Sequence, residues 1–142
     1  MIFTINSKTN KDFNFKVKSS NHLLRPKKRL EFISVPGRTG DLIIDEGARE
    51  NFNLIITGYL DVRSDARGFE LIEIINELDK WLNSTPGYQT MEFDDGTVLK
   101  VVFIGDIDPQ YIVKNFSEIT LEFSAYREVK WWHLYCMIKQ EM

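Results

Sequence analysis

Hydrophobic and polar residues alternate along most of this chain, a pattern typical of half-buried β-strands. The alternation is clearest in "KDFNFKVK", "LEFISV", "NFNLIITGYLDV" and "NFSEITLEFSAYRE", and it is weaker in "MIFTI" and "DLIIDEGARE". In "NFNLIITGYLDV" large residues stand at odd and even positions alike, so we expect that strand to be covered on both faces.

Residues 66–82 change to helical periodicity. Their apolar side chains fall on about half of a helical wheel, at Leu71, Ile72, Ile74, Ile75, Leu78, Trp81 and Leu82. Ser64 or Asp65 is the expected N-cap, because a side-chain oxygen there accepts a free helix amide hydrogen. "NSTPG" ends the helix, since Pro86 cannot continue it. Such an amphipathic helix has to pack on a sheet or on a partner.

The segment "YQTMEFDDGTVLKVVFIGDI" predicts a β-hairpin. Asp95-Gly96 is a strong tight-turn dipeptide, because glycine reaches positive φ without steric cost. Asp94 and Asp95 would then lie at the tip, where water should keep their pKa values ordinary. Strands, one helix and further strands together predict an α+β, mainly β fold, an antiparallel β-sandwich with one flanking amphipathic helix.

The length and charge of the chain narrow the function classes. With 142 residues and a net charge of -3, we expect one domain and no fold-wide basic surface for nucleic acid. The local basic cluster "RPKKR" could contact phosphates or acidic side chains, or be a solvated loop. A single cysteine gives no disulfide framework. No signal-peptide pattern and no apolar run of ~18 residues is visible, so we expect no membrane association and synthesis in the cytoplasm.

The stretch "ISVPGRTGD" raises the question of a phosphate loop. A P-loop ends in Gly-Lys followed by Ser or Thr and opens a helix, whereas Gly40 is followed by Asp41 and a strand-like run. A turn fits better, because Pro36 suits its second position and Gly37 its third. The turn alone does not explain Arg38.

Candidates for catalysis and metal binding are weak. His133 and Cys136 could supply two zinc ligands, but the other two are missing. A triad built on His22 or His133 has no supporting motif, and neither "DIDP" nor "FDDG" lies in a calcium loop. We therefore expect no enzymatic activity, no metal and no cofactor.

The order of these elements resembles a known family. "ISVPGRTGDL", "NLIITGYL", "ELIEIINELDKWLN", "TMEFDDGTVLKVVFIGDID" and "ITLEFSAYRE" are similar to the N-terminal domain of the siphophage distal tail (Dit) proteins of phages and prophages. The likeness covers residues from about 30 to 127. It implies a tail-tube-like β-sandwich whose copies form a hexameric ring. That ring joins the tail tube to the tail-tip or baseplate proteins, and DNA passes through it without specific binding.

The same resemblance suggests a role for the glycine turn, as a hairpin that reaches a neighbouring subunit. The candidate interface residues are Val35, Pro36, Gly37, Arg38, Thr39 and Gly40. Arg38 would pair across the interface with a carboxylate, a main-chain carbonyl or an aromatic face, because its planar fork makes bidentate contacts. The protein would then be located in the virion tail.

The C-terminal end departs from the family pattern. We divide the chain into a ring-forming domain, residues 1–127, and an aromatic tail, residues 128–142, whose Trp131, Trp132 and Tyr135 form a candidate partner surface. Such a chain would be a short family member, a truncated prophage copy or a chain cut at the domain boundary. Two other functions stay open: another tube-forming ring protein, of a tail tube or secretion tube, and a small-ligand-binding or enzymatic domain.

Overall fold

Ten antiparallel strands and one α-helix make up the computed structural model, which describes residues 1–127. The strands are β1 (Phe3–Ile5), β2 (Lys8–Thr9), β3 (Phe15–Ser20), β4 (Lys28–Ile33), β5 (Leu42–Arg49), β6 (Phe52–Asp61), β7 (Gln89–Phe93), β8 (Val98–Phe103), β9 (Gln110–Val113) and β10 (Phe116–Tyr126). The helix α1 spans Leu71–Leu82, and a 3-10 helix spans Asn10–Phe13. The predicted α+β, mainly β class is confirmed.

Eight of the strands form one sheet, in the order β2-β1-β7-β8-β10-β6-β3, with β9 also paired to β10. The sheet curves until strands from its two ends meet. The rings of Phe3 in β1 and Phe15 in β3 have their centroids 6.1 Å apart. The side chain of Asn10 accepts a hydrogen bond from the N–H of Phe3 and donates one to the carbonyl of Phe15. One continuous sheet thus supplies both facing layers of the sandwich.

The long strands β6 and β10 supply the centre of the core. Along β6, alternate side chains from Phe52 to Leu60 are buried, as period-two alternation predicted. The opposite face is only partly covered, and Ile55 is 41% exposed. Our expectation that this strand is covered on both faces was wrong for the single chain, because no second layer packs on that side of β6 within the described residues.

A glycine allows β3 to approach β6 closely. A Cβ atom at Gly58 would overlap the carbonyl oxygen of Lys16. The pairing of the two strands also shifts register between Val17 and Ser19 at this point. Gly58 is therefore required by backbone packing, since any side chain there would push the two strands apart.

Helix α1 closes one end of the core with the face that its periodicity predicted, and buries Ile74, Leu78, Trp81 and Leu82. The Trp81 indole stacks on the rings of Phe3 and Phe13, and its N–H donates to the carbonyl of Ile5 at 2.8 Å. Ile72 was expected on the same apolar face, but it is 66% exposed.

The helix begins later than its sequence suggested. The N-cap is Glu70, without a side-chain capping bond, so the prediction of Ser64 or Asp65 was wrong. Asp65 instead accepts hydrogen bonds from Arg67. The free N–H of Leu71 donates to the side chain of Asn115, which belongs to the turn between β9 and β10.

Candidate assembly surface

Strands β4 and β5 form a two-stranded hairpin that does not join the main sheet. We call residues 28–49 the arm. Every residue of the arm is exposed, in both strands and in the connecting loop. The arm is therefore held by its own ladder and by its root, with no core of its own.

The loop of the arm contains the predicted turn. The N–H of Arg38 donates to the carbonyl of Val35 at 3.2 Å. Pro36 and Gly37 occupy the second and third positions, and Gly37 has a φ of 79°. This geometry is that of a type II turn, which requires positive φ at its third residue. The turn prediction is confirmed.

Both faces of the arm carry large apolar side chains. Phe32 pairs with Ile43 on one face, and they are 59% and 58% exposed. Ile33 pairs with Leu42 on the other face, with Ile44 beside them. Exposed apolar clusters of this kind are typical of interaction surfaces, so the arm is a candidate contact surface for another molecule.

Arg38 lies at the tip of the arm. Its guanidinium makes no hydrogen bond or ion pair within residues 1–127. Thr39 and Gly40 follow it on the same exposed loop. The geometry leaves the charge of Arg38 available to another molecule, and the interface role of Val35–Gly40 stays a prediction.

The root of the arm is fixed by a buried histidine. The ring of His22 stacks on Phe93 at 4.3 Å between centroids, and its Nε2 lies 2.8 Å from Oδ2 of Asp95. Its Nδ1 lies 3.0 Å from Oγ of Ser20. The backbone carbonyl of His22 accepts a hydrogen bond from the side chain of Arg127 at 2.8 Å. His22 thus ties the segment between β3 and β4 to the β7–β8 hairpin and to the end of β10.

The pKa of Asp95, at the tip of the β7–β8 hairpin, is lowered by its hydrogen bonds. Hydrogen bonds from the backbone N–H of Thr97 and then from His22 lower the pKa of Asp95 from 3.8 to about 2. The expectation that water keeps the pKa of Asp95 ordinary was therefore wrong. The turn itself has the predicted form, with the N–H of Gly96 donating to the carbonyl of Phe93 at 3.1 Å.

The ring of His22 is hydrogen-bonded to Ser20 on one side and to Asp95 on the other, as in a catalytic triad. However, Ser20 also accepts a hydrogen bond from the backbone N–H of His22, two residues away, and the imidazole is packed against Phe93. Both ring nitrogens are thus engaged inside the chain. The arrangement fits a structural clamp, in which a buried polar side chain has its partners satisfied.

Within residues 1–127, no group of three or more His, Cys, Asp or Glu side chains could hold a metal ion. Over the same residues, no helix has both the length and the apolar character needed to cross a bilayer. His133, Cys136 and the candidate partner surface Trp131, Trp132 and Tyr135 lie outside the described residues.

The sequence analysis missed a second exposed apolar element, the edge strand β9. Tyr111 is 73% exposed there, and Ile112 and Val113 are also exposed. Three consecutive large apolar residues directly after Pro109 and Gln110 were the available signal, because such a run places apolar side chains on both faces of a strand.

The described chain is similar in structure to Dit (gp 19.1) of phage SPP1, whose crystal structure is presented as a paradigm of the hub adsorption apparatus in phages that infect Gram-positive bacteria. The TM-score is 0.65 at 14% sequence identity, over 89% of this chain and 49% of that one. This chain therefore spans about half the length of SPP1 Dit. No protein-family model and no curated protein matches its sequence. The described residues have the fold of a siphophage distal tail protein, as the order of the motifs predicted.

Proposed function

We propose that this protein is a structural component of a phage or prophage tail. In this proposal, copies of the chain form a hexameric ring that joins the tail tube to the tail-tip or baseplate proteins. The observation that carries it is the fold shared with SPP1 Dit over 89% of the chain, together with an arm whose residues are all exposed among residues 1–127. The protein acts by assembly, without catalysis or a cofactor, and DNA passes through the ring without specific binding.

The arm supplies the lateral contact of the ring. Fully burying an exposed large apolar side chain contributes roughly 1.5–3 kcal/mol. Phe32 and Ile43 are 59% and 58% exposed, so covering each of them contributes part of that amount to association. The arm projects from one side of the domain, so it meets a different surface on the next copy. A head-to-tail contact of this kind gives a ring when its rotation closes.

The net negative charge of the chain is compatible with a ring through which DNA passes. With a net charge of -3, a ring of this protein would not hold DNA by a general attraction to phosphates. The protein would be made in the cytoplasm of the bacterial host and then incorporated into the virion tail.

Light scattering after size exclusion, followed by electron microscopy of the fractions, tests this proposal. We expect concentration-dependent self-association that ends at single rings. Ile43→Ser should weaken it, because Ile43 is an exposed side chain of the arm. Ile72→Ser is the matched control, since Ile72 is exposed to a similar extent on α1, outside the arm.

A chain that stays monomeric at every concentration, with both variants indistinguishable from it, would contradict the ring. Rings that stack into long tubes without other tail proteins would instead assign the chain to the tube-forming proteins.

A further inference from the structure

A cavity of about 600 Å³ lies at the root of the arm. Its walls come from the arm, from the segment that precedes it and from the end of β10. The side chains that give it its chemical character are Arg25, Arg29, Arg49, Arg127, Tyr88 and Tyr126. The sequence analysis had left the cluster "RPKKR" open between a solvated loop and an anion contact, and the structure brings two of its arginines into this cavity.

The cavity has a large excess of positive charge. Four arginines line it, and Glu50 is the one carboxylate among its described lining residues. Burial, and then repulsion from Arg25, lowers the pKa of Arg127. Like charges gathered in one concave site repel one another unless an anion joins them.

Hydrogen-bond donors in the cavity also exceed the acceptors. The Nε of Arg127 is buried and has no partner within residues 1–127. Arg25 and Arg49 each donate one bond to a nearby backbone carbonyl, at 3.3 Å in both cases. A guanidinium has five N–H donors, and because Arg25 and Arg49 are exposed, their other donors face solvent and are accessible to a ligand. The buried Nε of Arg127 differs from them, because a buried donor without an acceptor is costly and a bound anion removes that cost.

The position of the cavity indicates where the anion comes from. Arg29 and Arg49 belong to β4 and β5 themselves, so the cavity is continuous with the exposed apolar surface of the arm. An apolar surface of this kind requires a protein cover, and the same protein would reach the cavity.

We propose that this cavity binds Asp or Glu side chains from an acidic segment of the protein chain that covers the arm. The planar forks of the arginines suit carboxylates, which accept two parallel N–H···O bonds from one guanidinium. The edge-to-face pair Tyr88 and Tyr126, 4.9 Å between centroids, forms a rigid wall beside them. The source of the segment rests on the proposed function, whereas carboxylate binding by the cavity does not.

The test is calorimetric titration of a hexaglutamate peptide into the full chain at low salt. The chain carries Ile43→Ser, so that self-association does not occupy the cavity. We expect saturable binding that weakens as salt rises. Adding Arg29→Gln should weaken it about tenfold, the loss of one charged hydrogen bond. Arg38→Gln is the control, because Arg38 lies at the far end of the arm and, like Arg29, makes no side-chain bond within residues 1–127.

Absence of hexaglutamate binding would overturn the assignment, and so would equal effects of Arg29→Gln and Arg38→Gln. Tighter binding of inorganic phosphate or of an oligothymidylate, lost with Arg29→Gln, would overturn it in favour of a phosphate ligand. If the wild-type chain never self-associates but hexaglutamate still binds in an Arg29-dependent way, carboxylate binding by the cavity is supported and ring formation is contradicted. Self-association without hexaglutamate binding would support the ring and contradict the cavity.

Discussion

The side-chain oxygen of Asn115 accepts a hydrogen bond from the backbone N–H of Leu71 at 3.2 Å, so a turn of the sheet caps the first turn of the helix. Asn115 has a φ of 61°, in the left-handed region that asparagine tolerates better than most residues. Its carbonyl also accepts a bond from the N–H of Val62, at 2.8 Å. One residue thus connects the end of β6, the β9–β10 turn and α1.

Asn115→Gly removes the capping oxygen and keeps a residue that adopts positive φ freely. We expect it to lower the free energy of unfolding by about 1 kcal/mol, the usual net contribution of one hydrogen bond. Asn115→Asp keeps an oxygen acceptor and adds a charge that the helix N-terminus favours, so its stability should stay close to that of the wild type. Urea denaturation of the three proteins measures this. Equal losses in both variants would show that the capping oxygen is not the cause.

Gly58→Ala tests the close approach of β3 and β6. The added Cβ would overlap the carbonyl oxygen of Lys16, which belongs to the backbone and cannot rotate away. We expect a loss of about 1–3 kcal/mol in the free energy of unfolding, as for overpacked cores. Thr57→Ala, on the half-exposed face of the same strand, should cost less. A fully stable Gly58→Ala protein would show that the two strands can separate without penalty.

The contact of His22 with Asp95 predicts a pH dependence. The pKa of Asp95 is lowered to about 2 in the folded chain from 3.8. The stabilisation that this carboxylate provides is therefore complete above about pH 4 and is lost as the pH falls toward 2. Asp95→Asn should be less stable than the wild type at pH 5, and the difference should shrink as the pH is lowered to 2. Chemical denaturation at several pH values measures it.

The same pH range contains a second carboxylate, Asp61, whose pKa is lowered to about 2 chiefly by its hydrogen bond with the side chain of Arg63. The wild-type protein therefore has to be compared with Asp95→Asn at each pH, since this comparison cancels the contribution of Asp61. A constant difference between the two proteins from pH 5 to pH 2 would show that Asp95 does not titrate as described.

Arg38→Ala tests the tip of the arm. Because the guanidinium of Arg38 makes no hydrogen bond or ion pair within residues 1–127, its removal should change the free energy of unfolding by less than about 0.5 kcal/mol. In the proposed ring this charged group contacts the neighbouring copy, so self-association should weaken. Arg63→Ala is the control, because Arg63 pairs with Asp61 in its own chain and should affect folding alone. Unfolding of Arg38→Ala would place that side chain in the core instead.

Sequence patterns predicted the strands, the helix and the turn that are determined by neighbouring residues in the chain. Alternation predicted β6 and β10, helical periodicity predicted α1, and Pro36-Gly37 predicted the type II turn. What failed depends in part on residues far apart in the chain. The cap of α1 comes from Asn115, 44 positions after Leu71. The lowered pKa of Asp95 comes first from the backbone N–H of Thr97 in the same turn, and then from His22, 73 positions before it.

The arm shows a different limit of sequence patterns. "LEFISV" predicted a strand, but alternation cannot distinguish a strand packed on a core from one that projects into solvent. The four cavity arginines are similarly scattered from Arg25 to Arg127, and only the folded chain brings them together. Fold class was therefore accessible from the sequence, whereas the projection of the arm away from the main sheet and the assembly of the cavity were not.

The arm has no buried residue. Its apolar positions are therefore not under selection to maintain a hydrophobic core. Under the proposed function, substitutions there leave the melting temperature of the isolated subunit unchanged and reduce the yield of assembled rings. Natural variation in these side chains should thus follow the surface on which they dock, changing together with it from one lineage to the next.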